Sequence, residues 1–235
     1  MSDFRGVVFD KDGTLFDFAA TWESWAVAFL TRLAGGDATR AARMGESIGF
    51  DMANRRFAPD SLVIASTAGE VAEALAPQVP DMPLPVLVDV LNEEASRAPQ
   101  MPAVPLAPLL GGLRDRGLRL GLATNDAEAP ARAHLGQAGI TEYFDFIAGY
   151  DSGFGGKPAP GQLLAFARHM DLAPQQVVMV GDSSHDLHAG RSAGMATVGV
   201  LTGYATEAEL RPLADVVLPD IGHLPDWLTA RAAAL

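Results

Sequence analysis

The chain has 235 residues, 49% of them hydrophobic and 20% charged, with 24 Gly, 16 Pro and no Cys. That is the profile of a globular chain with one large domain or a core and a smaller companion; the missing cysteine excludes disulfides, thiolate metal sites and a cysteine nucleophile. With 29 acidic against 17 basic side chains the formal charge is −12 and no local basic patch stands out, which argues against a nucleic-acid partner.

No segment reaches the roughly 18 apolar residues needed to span a bilayer. The stretch from Met1 to Phe9 lacks the basic start and long apolar run of a signal peptide. The expectation is a soluble cytoplasmic protein with no membrane partner.

Gly6-Val7-Val8-Phe9 is short, β-branched and apolar and stops at Asp10, the pattern of a buried strand running into the polar loop Lys11-Asp12-Gly13-Thr14. From about Phe16 to Arg97, Ala, Leu and Trp recur at helical spacing, through Ala19 to Ala34 and again around Gly69 to Ala76 and Pro85 to Ala98. These stretches read as amphipathic helices with no strand among them, separated at Gly35-Gly36, Ala58-Pro59 and Pro77 to Pro85. Prolines at 99, 102, 105 and 108 then form a segment that a helix does not cross, read as a linker or hinge.

Beyond it helix and strand alternate. Helices are predicted over Leu109 to Arg116, Ala129 to Ala138, Pro160 to Met170 and Asp186 to Ala193, with a helical tail. Strands are predicted over Leu118 to Ala123, Phe144 to Ala148, Val177 to Val180, Ala196 to Val200 and Asp215 to Leu218. This alternation implies a parallel sheet with helices on both faces and a ligand site beyond the carboxyl ends of the strands. The helical block interrupts the first βα unit, so it is expected to stand over those ends as a lid. The predicted division is a core of residues 1–15 and 99–235 and a helical domain of residues 16–98.

The strand ends carry the polar residues. Asp10 and Asp12, two apart, face one side if strand geometry persists; Asp-Gly also makes Asx turns and helix caps. Thr124 and Asn125 bring a hydroxyl, an amide and loop N–H groups able to hold phosphate oxygens. Lys157, one of two lysines in the chain, lies between Gly155-Gly156 and Pro158 and is a compact charge suited to phosphate or crowded carboxylates. Asp182 and Asp186 open a helix and are suitable ligands for a hard divalent cation; stabilisation of the helix dipole is the alternative role, more so for Asp186 than for Asp182. Four aspartates converging at one edge need a metal ion and Lys157 to balance them.

In this order, Asp10-Lys11-Asp12-Gly13-Thr14, Thr124-Asn125, Gly156-Lys157-Pro158 and Gly181-Asp182-Ser183-Ser184-His185-Asp186 resemble the four motifs of the haloacid dehalogenase-like hydrolase superfamily, over nearly the whole chain. The insert resembles the C1-type cap of phosphoglycolate phosphatase-like members. The resemblance implies an α/β fold, a Rossmann-like three-layer parallel-sheet core with an inserted all-helical cap. It implies a phosphatase acting on a small-molecule phosphate monoester. Asp10 would be the nucleophile, Asp12 the acid and then base, and Thr124, Asn125 and Lys157 the phosphoryl-binding groups. Mg²⁺ would be bound by Asp10, Asp182 and the Asp12 backbone carbonyl, with Asp186 completing the acidic cluster at the metal or through water and Lys157.

Within the superfamily, Asp12 argues against the metal-free dehalogenases, and the absence of lysine from Phe16 to Arg97 argues against a Schiff-base phosphonatase. A sugar-phosphate mutase shares all four motifs and remains an alternative, as does a catalytically silent binding module on the same fold. Trp22 and Trp25 are read as packing the cap and Arg55-Arg56 as solvated, with a carboxylate clamp the rival reading of the arginines. His185 and His188, three apart, are discounted as a metal pair. Lys11, where relatives more often carry an aliphatic residue, and the oligomeric state stay unassigned.

Overall fold

In the computed structural model, which describes residues 4–233, the chain enters through β1 (Gly6–Phe9), four buried residues. It then leaves for an insert of α1 (Phe18–Leu33), α2 (Ala38–Ser47), the short strands β2 (Phe50–Asp51) and β3 (Arg56–Phe57), α3 (Ala68–Leu75) and α4 (Leu84–Ala95). The rest alternates through α5 (Leu106–Asp115), β4 (Arg119–Ala123), α6 (Glu128–Gln137), β5 (Phe146–Ala148), α7 (Gly161–His169) and β6 (Val177–Gly181). It ends with α8 (Ser184–Ala193), β7 (Ala196–Val200), α9 (Glu207–Leu210), β8 (Val216–Leu218) and α10 (Leu224–Ala233). Among the described residues no helix is long and apolar enough to cross a membrane.

Six strands form one parallel sheet in the order β5-β4-β1-β6-β7-β8. A parallel sheet needs cover on both faces, and the side chains alternate to provide it. Val7, Phe9, Leu120, Leu122, Val178 and Val180 pack with Leu110 of α5, Leu135 of α6 and Leu224 of α10. Val8, Val177 and Met179 pack with Leu163 and Phe166 of α7 and Ala189 of α8. This is the expected α/β three-layer core. Gly6 and Gly121 sit beneath the Phe166 ring: a Cβ on Gly121 would lie 2.6 Å from it and one on Gly6 3.0 Å. The two strand glycines leave the space that the ring fills.

The insert has an apolar cluster of its own. Trp22, Trp25, Phe29 and Leu30 recur at helical spacing along α1 and meet Met44, Leu75 and Leu87 from α2, α3 and α4. Asp17 caps α1, its side chain accepting the Ala20 N–H at 2.8 Å. The two chain crossings that join insert and sheet lie side by side: Asp17 N–H donates to Met101 O at 2.8 Å and Ala103 N–H to Leu15 O at 2.9 Å.

Two expectations are corrected. The insert is not all-helical, because β2 and β3 pair antiparallel with the rings of Phe50 and Phe57 4.7 Å apart. Asp51 closes the turn by accepting the N–H groups of Ala53 and Asn54 at 2.8 and 3.0 Å. Strands of two residues are too short to register as an alternating pattern. The hinge over residues 99–108 is also shorter than expected. Helix α5 starts at Leu106 and takes Pro108 into its first turn, where a backbone N–H would have no intrahelical acceptor.

Phe166→Ala removes a ring that the strand glycines cannot replace, so it should destabilise the chain by about 3–5 kcal/mol. Urea unfolding would measure this; a loss below about 1 kcal/mol would mean that the sheet closes over the gap.

Candidate active site

Strand register brings the site together. Phe9 lies beside Leu122 on one side and Val180 on the other, so the chain segments that follow leave the sheet at one edge. Asp10 N–H donates to Val180 O at 2.9 Å and Thr124 N–H to Ala148 O at 3.0 Å, extending the ladder by one residue at each strand. Asp10, Thr124, Lys157, Asp182 and Asp186 are all buried there, and Asp10, Asp12, Thr124, Asn125, Lys157 and Asp182 line one cavity beneath the insert.

Lys157 Nζ lies 2.5 Å from Asp10 Oδ1 and 2.6 Å from Asp186 Oδ1. Its loop is held by Asn125, whose Oδ1 accepts the Lys157 N–H at 2.8 Å and whose Nδ2 donates to Lys157 O at 2.9 Å. The same amide donates to Ala65 O of the insert at 2.8 Å. The Asn125 side chain is thus committed to fixing the lysine and the insert. The other oxygen of Asp186 accepts from Ser183 N and Oγ at 3.0 and 2.6 Å, a capping box that starts α8. A Cβ on Gly181 would overlap the Asp186 carboxyl, 2.4 Å from its Cγ. Asp186 therefore serves the helix cap and the lysine together.

Burial pushes the Asp10 carboxyl up to about 7, with Lys157 opposing and Asp186 and Asp12 adding to the rise. Burial, then Asp186 and Asp10, lift Asp182 well above the usual carboxylate range. For Lys157, burial acts to lower the pKa and the two carboxylates outweigh it, leaving the ammonium above its ordinary value. Among the described residues the only side chain donating to Asp182 is Thr14, at 3.5 Å. Backbone crowds it instead: a Cβ on Gly13 would lie 2.3 Å from Asp182 Oδ2.

Asp10, Asp182 and Asp186 offer carboxylate oxygens within 4.8 Å of one another, the one such acidic or histidine cluster among the described residues. Clustered carboxylates with surplus negative charge, Asp182 among them lacking a cationic partner, suit a hard cation such as Mg²⁺. The Asp12 carboxylate is outside this group, and His185 and His188 form no such cluster.

Asp12 is held by Lys11. Lys11 Nζ lies 2.9 Å from both Asp12 oxygens, 2.8 Å from Asp126 Oδ2 and 2.8 Å from His134 Nδ1, with the Trp22 ring 5.4 Å away. Burial acts against the Lys11 charge; Asp12 and Asp126 outweigh it and raise its pKa. Burial lifts Asp126 to about 6, with Lys11 opposing. An ammonium can only donate, so Nδ1 of His134 must accept and Nε2 carry the proton, which it gives to Ala95 O of the insert at 2.6 Å. Sequence reasoning singled out Lys11 without a role and missed Asp126 and His134. Neither Arg55 nor Arg56 lines the cavity; Arg56 borders a separate crevice with Phe18, Thr202 and Tyr204. Trp22 and Trp25 pack the insert as expected and also line the cavity.

The family model of haloacid dehalogenase-like hydrolases matches residues 4–194. The chain belongs to this family. Among curated relatives of this haloacid dehalogenase-like chain, the phosphoglycolate phosphatase of Rhodospirillum rubrum is 34% identical over 233 residues, 95% of this chain and 90% of that protein. That of Escherichia coli (strain K12) is 32% identical over 212 residues, 86% and 83% of the two chains. A crystal structure of a predicted phosphoglycolate phosphatase from Haemophilus somnus 129PT shares the fold, with a TM-score of 0.73 at 20% identity over 96% of this chain and 98% of that one.

In this haloacid dehalogenase-like chain, burial and then Lys11 depress His134 to about 4, against 6.5 for a free imidazole. Between these values the unfolded chain binds the extra proton, so the ring's contribution to stability is present above pH 6.5 and lost as pH falls toward 4. From pH 7 to pH 4 the wild type should lose about 2–3 kcal/mol more than His134→Asn, which has no ring to titrate. Urea unfolding across that range provides the measurement; identical pH slopes would mean that the ring accepts a proton as readily folded as unfolded.

Proposed function

We propose that the chain is a Mg²⁺-dependent phosphatase that hydrolyses a small-molecule phosphate monoester through an aspartyl-phosphate on Asp10. The observation that carries this reading is the Lys157 ammonium spanning Asp10 and Asp186 at 2.5 and 2.6 Å, in a cavity that Asp12 also lines. A carboxylate held this way is oriented, and Lys157 engages only Oδ1, leaving Oδ2 for attack. The name phosphoglycolate phosphatase carried by the curated relatives supports the reaction class.

Attack by Asp10 forms an oxygen–phosphorus bond and breaks the bond from phosphorus to the alcohol oxygen, which takes a proton from Asp12. Asp12, now a carboxylate, takes a proton from water as that water attacks phosphorus; the bond to Asp10 breaks and inorganic phosphate leaves. Lys11 keeps the Asp12 carboxylate in place between the two steps. Thr124 Oγ1 already accepts the Asp126 N–H at 3.1 Å, so its own proton is free for a phosphoryl oxygen beside Lys157. Asp10, Asp182 and the Asp12 carbonyl would hold Mg²⁺, which supplies positive charge for the phosphoryl oxygens. Asp186, with both oxygens occupied, acts through Lys157. The insert acts as a cap over residues 16–98 that excludes bulk water and leaves room for a small ester but not for a phosphoprotein.

Asp10→Asn preserves shape and removes the nucleophile, so Mg²⁺-dependent phosphate release should fall on the order of 10³-fold or more while the variant stays folded. EDTA should abolish wild-type release and added Mg²⁺ restore it. Turnover retained in Asp10→Asn, or unaffected by EDTA, would overturn the mechanism.

A further inference from the structure

The cavity has two unlike halves. Its floor, from the sheet edge, carries Asp10, Asp12, Asp126, Asp182 and Lys157. Its wall, from the insert, is built of Phe18, Trp22, Trp25, Ile64, Val71 and Leu91. The wall is backed firmly: Trp22 meets Trp25 edge-on at 5.1 Å, and Trp25 stacks on Phe29 at 5.1 Å.

No arginine of the insert reaches this wall. Arg32 and Arg97 pair with Glu93 and Glu94, Arg40 donates to Gln78 O, and Arg56 borders a separate crevice with Glu23 and Tyr204. The polar side chains that the insert contributes, Ser66 and Asn92, are neutral. His185, the remaining group able to carry positive charge, stands on the floor side at the start of α8. The indole N–H of Trp25 is buried without a partner.

Charge decides what such a wall accepts. The two ammonium groups of the floor are each taken up by two aspartates, Lys11 by Asp12 and Asp126 and Lys157 by Asp10 and Asp186. A carboxylate on the alcohol half would leave water for a wall that offers no cation to pair with it. An apolar group gains from the same transfer.

Resting on the phosphomonoester reading above, we propose that the alcohol released is uncharged and apolar, an alkyl or arylalkyl group seated against Trp22, Trp25, Ile64 and Leu91, and that a carboxylate-bearing ester such as phosphoglycolate is a poor substrate. An ether or carbonyl oxygen on that group would also satisfy the Trp25 N–H.

The test compares kcat/KM of the full chain with Mg²⁺ for 2-phenylethyl phosphate and phosphoglycolate, with methyl phosphate as the small uncharged reference. The first two both release primary alcohols, so the activated leaving group of a phenol does not enter. 2-Phenylethyl phosphate should be preferred by about tenfold or more. Ile64→Arg puts a cation on the wall and should shift the ratio of the two constants by about tenfold toward phosphoglycolate. Because both constants come from one preparation, the ratio does not depend on the fraction folded. Equal or reversed preference in the wild type, or an unchanged ratio in Ile64→Arg, overturns the apolar assignment and leaves the phosphatase reading standing. Absence of Mg²⁺-dependent phosphate release from all three esters overturns both.

Discussion

Two lysines at the carboxyl edge of the sheet each bridge two aspartates, Lys11 between Asp12 and Asp126 and Lys157 between Asp10 and Asp186. Burying an ammonium or a carboxylate alone costs several kcal/mol, so neither set could sit under the insert without the other. The pairing is incomplete: Asp182 has no lysine, and burial with two carboxylate neighbours lifts its pKa. A buried carboxylate cluster left short of cations suits a hard divalent cation.

The side chain that steadies each lysine also reaches the insert. Asn125 holds the Lys157 backbone and donates to Ala65 O, while His134 accepts from Lys11 and donates to Ala95 O. The floor and the wall of the cavity are thus fastened through the same polar groups that orient the acids. Each bond satisfies an insert carbonyl facing the site, and its geometry ties the position of the insert to the position of the ammonium group beneath it.

Floor and wall answer to different demands. In the proposed reaction the nucleophile, the acid and the neutralising charge all come from one sheet edge, from residues in the motif order that the family resemblance rests on. The wall that the insert turns to the cavity is aromatic and aliphatic and carries no acid, base or cation. Shared fold and shared floor therefore do not by themselves determine a leaving group; in the proposal above it rests on the apolar wall of Phe18, Trp22, Trp25 and Leu91.

What could be read along the chain were features written by neighbouring residues: the apolar runs ending at Asp10, Thr124 and Asp182, the helical spacing of Trp22 and Trp25, and the four motifs in order. These determined the α/β class and nominated the acids and Lys157, because backbone periodicity and strand ends depend on local sequence. The β2–β3 hairpin escaped because its strands are too short for a period to appear, and the start of α5 was misplaced because a proline is harmless in a first turn. The role of Lys11 was out of reach for a different reason: its partner His134 lies 123 residues away, and no local pattern encodes that approach. Only the tertiary structure decided which carboxylates each lysine holds, that Asn125 serves the Lys157 loop, and that the insert turns an apolar face rather than an arginine toward the site. Those outcomes depend on how sheet and insert pack together, where burial makes each unpaired charge costly and so selects the pairing that leaves the fewest.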